Sequence, residues 1–165
     1  MIDDFAAWRS ELLFTGDIVQ DGDSRVPSEE AARRCYRYVE LLGMVEGDEA
    51  DEVFFTIVDS MVAPEDYEVY ETSIGAGSRF PPDRFGSLLY RALKSGWLDR
   101  DPDRAGCWLS DLAFRGADSA AVRSFSAAWA EDDEFATALK TFVEDQERDG
   151  WLDSARKRGV LRPAR

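Results

Sequence analysis

The sequence predicts an all-α protein, built as stacked antiparallel helix hairpins in the form of a HEAT-like α-solenoid or an irregular helical bundle. Apolar residues recur at i, i+3, i+4 and i+7 in segment after segment. No alternating run of β-branched residues lies between turn signals. A four-residue echo, Gly96-Trp97-Leu98-Asp99 and Gly150-Trp151-Leu152-Asp153, follows a helical stretch both times, 54 residues apart. Each copy has the form of a helix C-terminal cap, with a left-handed Gly and an apolar residue folding back. Such recurrence favours stacked hairpins, whose faces no single pair can bury alone.

The elements follow in order. Phe5, Trp8, Leu12 and Leu13 predict a first helix over 2–14, and the Asp/Gly-rich stretch from Gly16 to Pro27 predicts a loop. Ser28 is placed to cap a second helix, with Glu29 and Glu30 in its first turn. Ala31, Cys35, Tyr38, Val39, Leu42 and Val45 form its apolar stripe. Asp48 is the expected cap of a third helix, with Ala50, Phe54, Ile57, Val58 and Met61 inward. Pro64 ends it and suits the first turn of a fourth helix, on which Tyr67, Tyr70 and Ile74 share a face until Gly75, Gly77 and Ser78 break it.

Phe80-Pro81-Pro82 is a rigid lead-in to a fifth helix, whose stripe is Phe85, Leu88, Leu89, Ala92 and Leu93 and whose end is Gly96. Asp103 is the expected cap of a sixth helix around Trp108, Leu109 and Leu112, which Gly116 ends. Asp118 or Ser119 caps a seventh with Val122, Phe125 and Trp129. Asp132 caps an eighth with Phe135, Ala138, Leu139, Phe142 and Val143, ended by Gly150. The five Trp are read as core anchors. Residues 1–155 are expected to form a single all-α domain, and 156–165 a basic tail, frayed or loosely docked.

Composition narrows the function. The chain has 165 residues, 44% hydrophobic and 33% charged, and no histidine. Without histidine there is no Ser-His-Asp or Cys-His triad and no His-ligated zinc or iron. Two cysteines cannot make a four-thiolate zinc site or a disulfide framework. No run approaches the length of a membrane span, and no secretory signal opens the chain, so a cytoplasmic location is expected.

The net charge of −14 is unevenly placed. Residues 1–80 hold 19 acids and 6 bases, a net of −13; residues 81–165 hold 15 and 14, a net of −1. Between Glu46 and Glu71 stand ten carboxylates (Glu46, Asp48, Glu49, Asp51, Glu52, Asp59, Glu65, Asp66, Glu68 and Glu71) and no Lys or Arg. A nucleic-acid binder needs a basic stripe, so direct nucleic-acid binding is not expected. An acidic field attracts basic partners, although it also serves simply to keep a protein dissolved. Tyr67 and Tyr70, with Phe80, are the expected apolar anchors of a partner surface.

Other constellations are weak. Asp99-Arg100-Asp101-Pro102-Asp103 opens like a calcium loop, but Arg104 stands where the turn needs Gly and Ser110 where a bidentate Glu is required. Asp48, Asp51 and Glu52 have helical spacing suited to a divalent ion, yet favourable charge at a helix start accounts for them. Gly75-Ala76-Gly77 lacks the strand and spacing of a nucleotide loop. Nothing selects a catalytic carboxylate pair among 34 acids. Arg79 is expected to pair with Glu68 or Glu71. Cys35 and Cys107 read as packing residues. No catalytic residue, metal or cofactor is assigned.

Asp66-Tyr67-Glu68-Val69-Tyr70-Glu71-Thr72-Ser73, followed by Arg79-Phe80-Pro81-Pro82 and Phe85, resembles segments of small bacterial all-α immunity proteins encoded beside secreted polymorphic toxins. There a Tyr-rich acidic helix precedes a Phe-Pro-Pro lead-in. The resemblance spans Asp66 to Phe85, 20 of 165 residues. It implies a non-enzymatic protein that binds and neutralises a cognate toxin, commonly a basic nuclease, and carries over no individual binding residue. An α-solenoid adaptor for a peptide or protein partner is the alternative, followed by a carboxylate- or metal-dependent enzyme.

Overall fold

The computed structural model describes residues 1–19, 25–64, 68–130 and 133–164. Every regular element among them is helical, and no strand occurs among the described residues. The chain divides into two compact units, 1–80 and 81–165, so the division of charge falls on the division of structure.

The first unit contains α1 (Phe5–Thr15), α2 (Ser28–Gly43), α3 (Asp51–Asp59) and α4 (Tyr70–Gly77). The side chain of Asp4 caps α1 by accepting from the Ala7 amide at 3.0 Å. α1 packs on α2 and α3, and α4 packs on the same two helices. Trp8, Leu12, Tyr38, Leu42, Phe54, Ile57 and Tyr70 fill the interior. Polar groups inside are satisfied: the Trp8 indole donates to the Leu41 carbonyl at 3.0 Å, and the Tyr38 hydroxyl sits 2.7 Å from both Ser60 and Ser73 hydroxyls. The Tyr70 hydroxyl donates to the Gly16 carbonyl at 2.6 Å and accepts from the Ala63 amide at 2.8 Å.

Several local expectations are corrected here. Pro27, not Ser28, is the N-cap of α2, and no side chain caps it. Val39 is exposed, and Leu41 takes a place in the core, because the 3.6-residue period carries the inner face from Tyr38 to Leu41 and Leu42. α3 begins after Ala50, which is exposed, and Asp48 does not cap it.

The second unit contains α5 (Pro82–Ala92), a kinked turn at Leu93–Trp97, a one-turn α6 (Leu98–Arg100), α7 (Pro102–Phe114), α8 (Ala120–Ala130) and α9 (Asp133–Asp149). Pro82 occupies the first position of α5, as the Phe-Pro-Pro motif predicts. Gly96 ends that stretch at φ 111°, a conformation that favours glycine. The broadest packing is α5 on α8. It depends on Gly86, where an added Cβ would lie 2.0 Å from the Ala121 carbonyl oxygen. Phe85 and Trp108, Tyr90 with Phe125 and Phe135, and Phe125 with Trp129 form its aromatic interior.

Asp101, not Asp103, caps α7, accepting from the Arg104 amide at 3.1 Å, because Pro102 already holds the first helical position. Asp103 instead accepts from the Trp151 indole at 2.8 Å. Ser119 accepts from the Val122 amide at the start of α8. The expected Asp132 cap lies outside the described residues. On α9, Leu139 and Val143 are buried, Phe135 and Phe142 half-buried and Ala138 exposed. Trp151 departs from its expected core role at 45% exposure.

Of the two states open to the C-terminal segment, the structure has the docked one. Leu152 and Leu161 are buried, Arg162 forks onto Glu147 at 2.8 and 2.9 Å, and the Ala164 amide donates to the Ser126 carbonyl of α8 at 2.9 Å. Within each unit the helices pack as a bundle or a solenoid would allow.

Candidate functional site

The acidic band lies wholly in the first unit, and its start is a held turn. Gly47 has φ 103°, and a Cβ there would meet the Arg79 carbonyl oxygen at 2.1 Å, so this turn presses on the backbone before α5. Glu49 fixes the same turn by accepting from the backbone amides of Glu46 at 2.6 Å and Gly47 at 2.8 Å. Burial alone would raise the pKa of the Glu49 carboxyl, but the amides of Glu46, Glu49 and Gly47 together outweigh it and hold the pKa below the usual carboxylate range. Glu49 is therefore a structural acid. Glu46 lies 3.2 Å from the Met1 amino group, both exposed.

Arg79 does not meet Glu68 or Glu71. Its guanidinium donates to the carbonyls of Leu42 at 3.1 Å and Val45 at 2.6 Å, at the C-terminal end of α2. The Leu42 carbonyl also accepts from the Val45 amide at 3.3 Å, but both carbonyls stand at the end of α2 where the helix dipole is negative, and there they hold the cation. The one base in the sequence near the band is thus spent on backbone.

α3 gives the band its shape. Asp51 and Glu52 stand in its first turn, where the helix dipole favours them. Glu52 is exposed, Phe55 and Asp59 half-buried, and the spacing sets Phe55 and Asp59 on the side of the helix marked by Glu52. Val62, just beyond, is exposed. Asp48 is exposed before the helix, and Glu68 and Glu71 are exposed at the approach to and start of α4. Among the described residues no ion pair involves Asp48, Glu52, Glu68 or Glu71. Glu65, Asp66 and Tyr67 lie outside the described residues.

The expected apolar anchors are corrected. Tyr70 is 2% exposed with its hydroxyl satisfied inside the unit, and Phe80 is 1% exposed with its ring perpendicular to Phe54 at 5.6 Å. Neither reaches a surface. Aromatics near carboxylates have the composition of an interface, but here a buried hydroxyl partner and the Phe54 ring hold them inside. The apolar groups that do accompany the acids are Phe55 and Val62. Their signal was available: both fall out of phase with the Phe54, Ile57, Val58, Met61 stripe.

Among the described residues no group of three Asp, Glu or Cys side chains is placed to hold a metal ion. Cys35 and Cys107 form no disulfide, and burial pushes the Cys35 thiol up, away from the reactive thiolate. The arrangement sets carboxylates on a helix and turns, with apolar groups among them. No described helix is long and apolar enough to cross a membrane. Neither a family model, nor a curated protein, nor a solved structure matches the chain.

Proposed function

We propose that this chain is a cytoplasmic, non-enzymatic inhibitor of the immunity class, which binds a basic bacterial toxin through the acidic surface of its first unit. The observation that carries the reading is the uncompensated charge of the band: Asp48, Glu52, Glu68 and Glu71 are exposed and unpaired among the described residues, while Arg79 is engaged by carbonyls at and just past the end of α2. Carboxylates that a fold leaves unpaired contribute self-repulsion rather than stability, and they gain most when a cationic surface arrives. They would occupy the place of the phosphates a basic nuclease meets. Phe55 and Val62 would supply apolar contact, since charge at a rim governs rate more than affinity.

The test is co-expression with the product of the adjacent gene. The wild-type chain should protect the cells and co-purify with that product. A variant carrying Asp48→Asn, Glu52→Gln, Glu68→Gln and Glu71→Gln should remain folded and lose protection. Full protection by this variant would reject the reading.

A further inference from the structure

α2 has a second apolar face that its own unit does not cover. Ala31, Tyr38, Leu41 and Leu42 point into the core. Ala32, Tyr36, Val39 and Gly43 lie outside it, spaced by four, three and four residues, and all are exposed, Tyr36 at 74% and Val39 at 40%. That spacing is the seam of a two-helix coiled coil. A Cβ at Gly43 would meet nothing within 4 Å, so the backbone there is open to close approach. Beside this face runs an open groove of about 670 Å³ between α1 and α2, to which Phe14, 56% exposed, also contributes.

The charges flanking the seam match their own reversal. Arg33 follows Ala32 and Glu40 follows Val39, so they occupy equivalent positions one heptad apart. When two copies of such a helix run antiparallel, those positions face each other, and Arg33 of each copy meets Glu40 of the other. The same reversal sets Tyr36 of one copy against Val39 of the other and Ala32 against Gly43. Arg33 and Glu40 are themselves exposed and at present pair with half-buried Glu30 and Arg37, so their solvent-facing ends can exchange partners at little cost.

Charge also favours a second copy here over other faces of the first unit. Residues 28–43 hold Glu29, Glu30 and Glu40 against Arg33, Arg34 and Arg37, a net of zero within a unit of net −13. Two such units repel each other least along α2.

We propose that the outer face of α2 is a homodimer surface, on which two copies pair antiparallel about a two-fold axis near Tyr36 and Val39. The contact is isologous, so each Arg33–Glu40 pair forms twice. A helix of 16 residues makes a small interface, and the association is therefore weak and concentration-dependent. It is independent of the acidic band.

Sedimentation velocity of the intact chain over a concentration series tests it. The mass should rise from 18.6 kDa towards twice that value. Tyr36→Glu, at an exposed position, should keep the helical circular dichroism and stay a single chain throughout. Arg33→Glu should weaken dimerisation by about tenfold or more, because it sets like charges together twice. Adding Glu40→Arg to Arg33→Glu should restore it. A wild-type chain that stays single at every concentration overturns the proposal. So does a dimer that survives Tyr36→Glu, or a double variant no better than Arg33→Glu alone.

Discussion

The second unit carries 15 acids against 14 bases and the first 19 against 6, and their side chains pair accordingly. In the second unit, acids find bases close by: Asp101 with Arg104, Asp111 with Arg115, and Glu147 with Arg162 of the docked C-terminal segment. In the first, the bidentate fork of Arg37 on Glu11 and the pair of Arg34 with Glu30 sit on α1 and α2, and the band from Glu46 to Glu71 contains no base. Each unit fastens segments with an ion pair, Arg37 to Glu11 and Arg162 to Glu147, but only the first also accumulates surplus charge, and its interior is an apolar core with a Tyr38–Ser60–Ser73 hydroxyl cluster. Surplus charge that does not hold the fold is available for an encounter with another molecule.

The largest expected effect tests whether close helix contact, rather than charge, carries stability in both units. An added Cβ would lie 2.0 Å from the Ala121 carbonyl oxygen at Gly86 and 2.1 Å from the Ser60 carbonyl oxygen at Gly16. Gly86→Ala and Gly16→Ala should each cost about 3 kcal/mol, since backbone must move to admit the methyl group. Urea unfolding measures this, and a cost under about 1 kcal/mol in either would refute the close approach.

Next in size is Arg79, the base that does not neutralise the band. Arg79→Lys should cost about 1–2 kcal/mol by losing charge-assisted bonds to the Leu42 and Val45 carbonyls. The loss should be the same at low and high salt. A cost that fades with salt would return Arg79 to the acids and erase the contrast between the units.

The smallest effect concerns the charge-balanced second unit. Arg162 bonds the Glu147 carboxyl and, despite opposing burial, lowers its pKa, with the Gly159 amide helping. A depressed carboxyl contributes stability that is complete above its unfolded pKa, about 4.3, and is lost as pH falls through the folded value. Acidification should therefore lower the protection of the Ala164 amide, measured against its intrinsic exchange rate at each pH, and loosen Leu161. Glu147→Gln should cost about 1 kcal/mol at neutral pH and remove that acid sensitivity. Retained sensitivity would place the titrating group elsewhere.

The helices were legible because their inward stripes are strong, as in Phe85, Leu88, Leu89, Ala92 and Leu93, all of which are buried. Caps were less so. Asp101 and Asp103 are chemically equal candidates, and only the intervening Pro102 decides between them. The carboxylates of the band were legible by composition, but its aromatic members were not. Whether Tyr70 faces in or out depends on what lies opposite its hydroxyl, namely Gly16 and Ala63, and no spacing reveals that. The sequence leaves the C-terminal segment between frayed and docked because its fastenings, such as Glu147 with Arg162, span 15 residues outside any periodic pattern.

The most direct test of the acidic surface is the association rate with the adjacent gene's toxin, measured by stopped flow across ionic strengths. The wild-type rate should fall about tenfold or more from low to physiological salt, and the variant with Asp48, Glu52, Glu68 and Glu71 neutralised should be slow at every salt. A salt-independent rate, or a neutralised variant as fast as the wild type, would contradict the account.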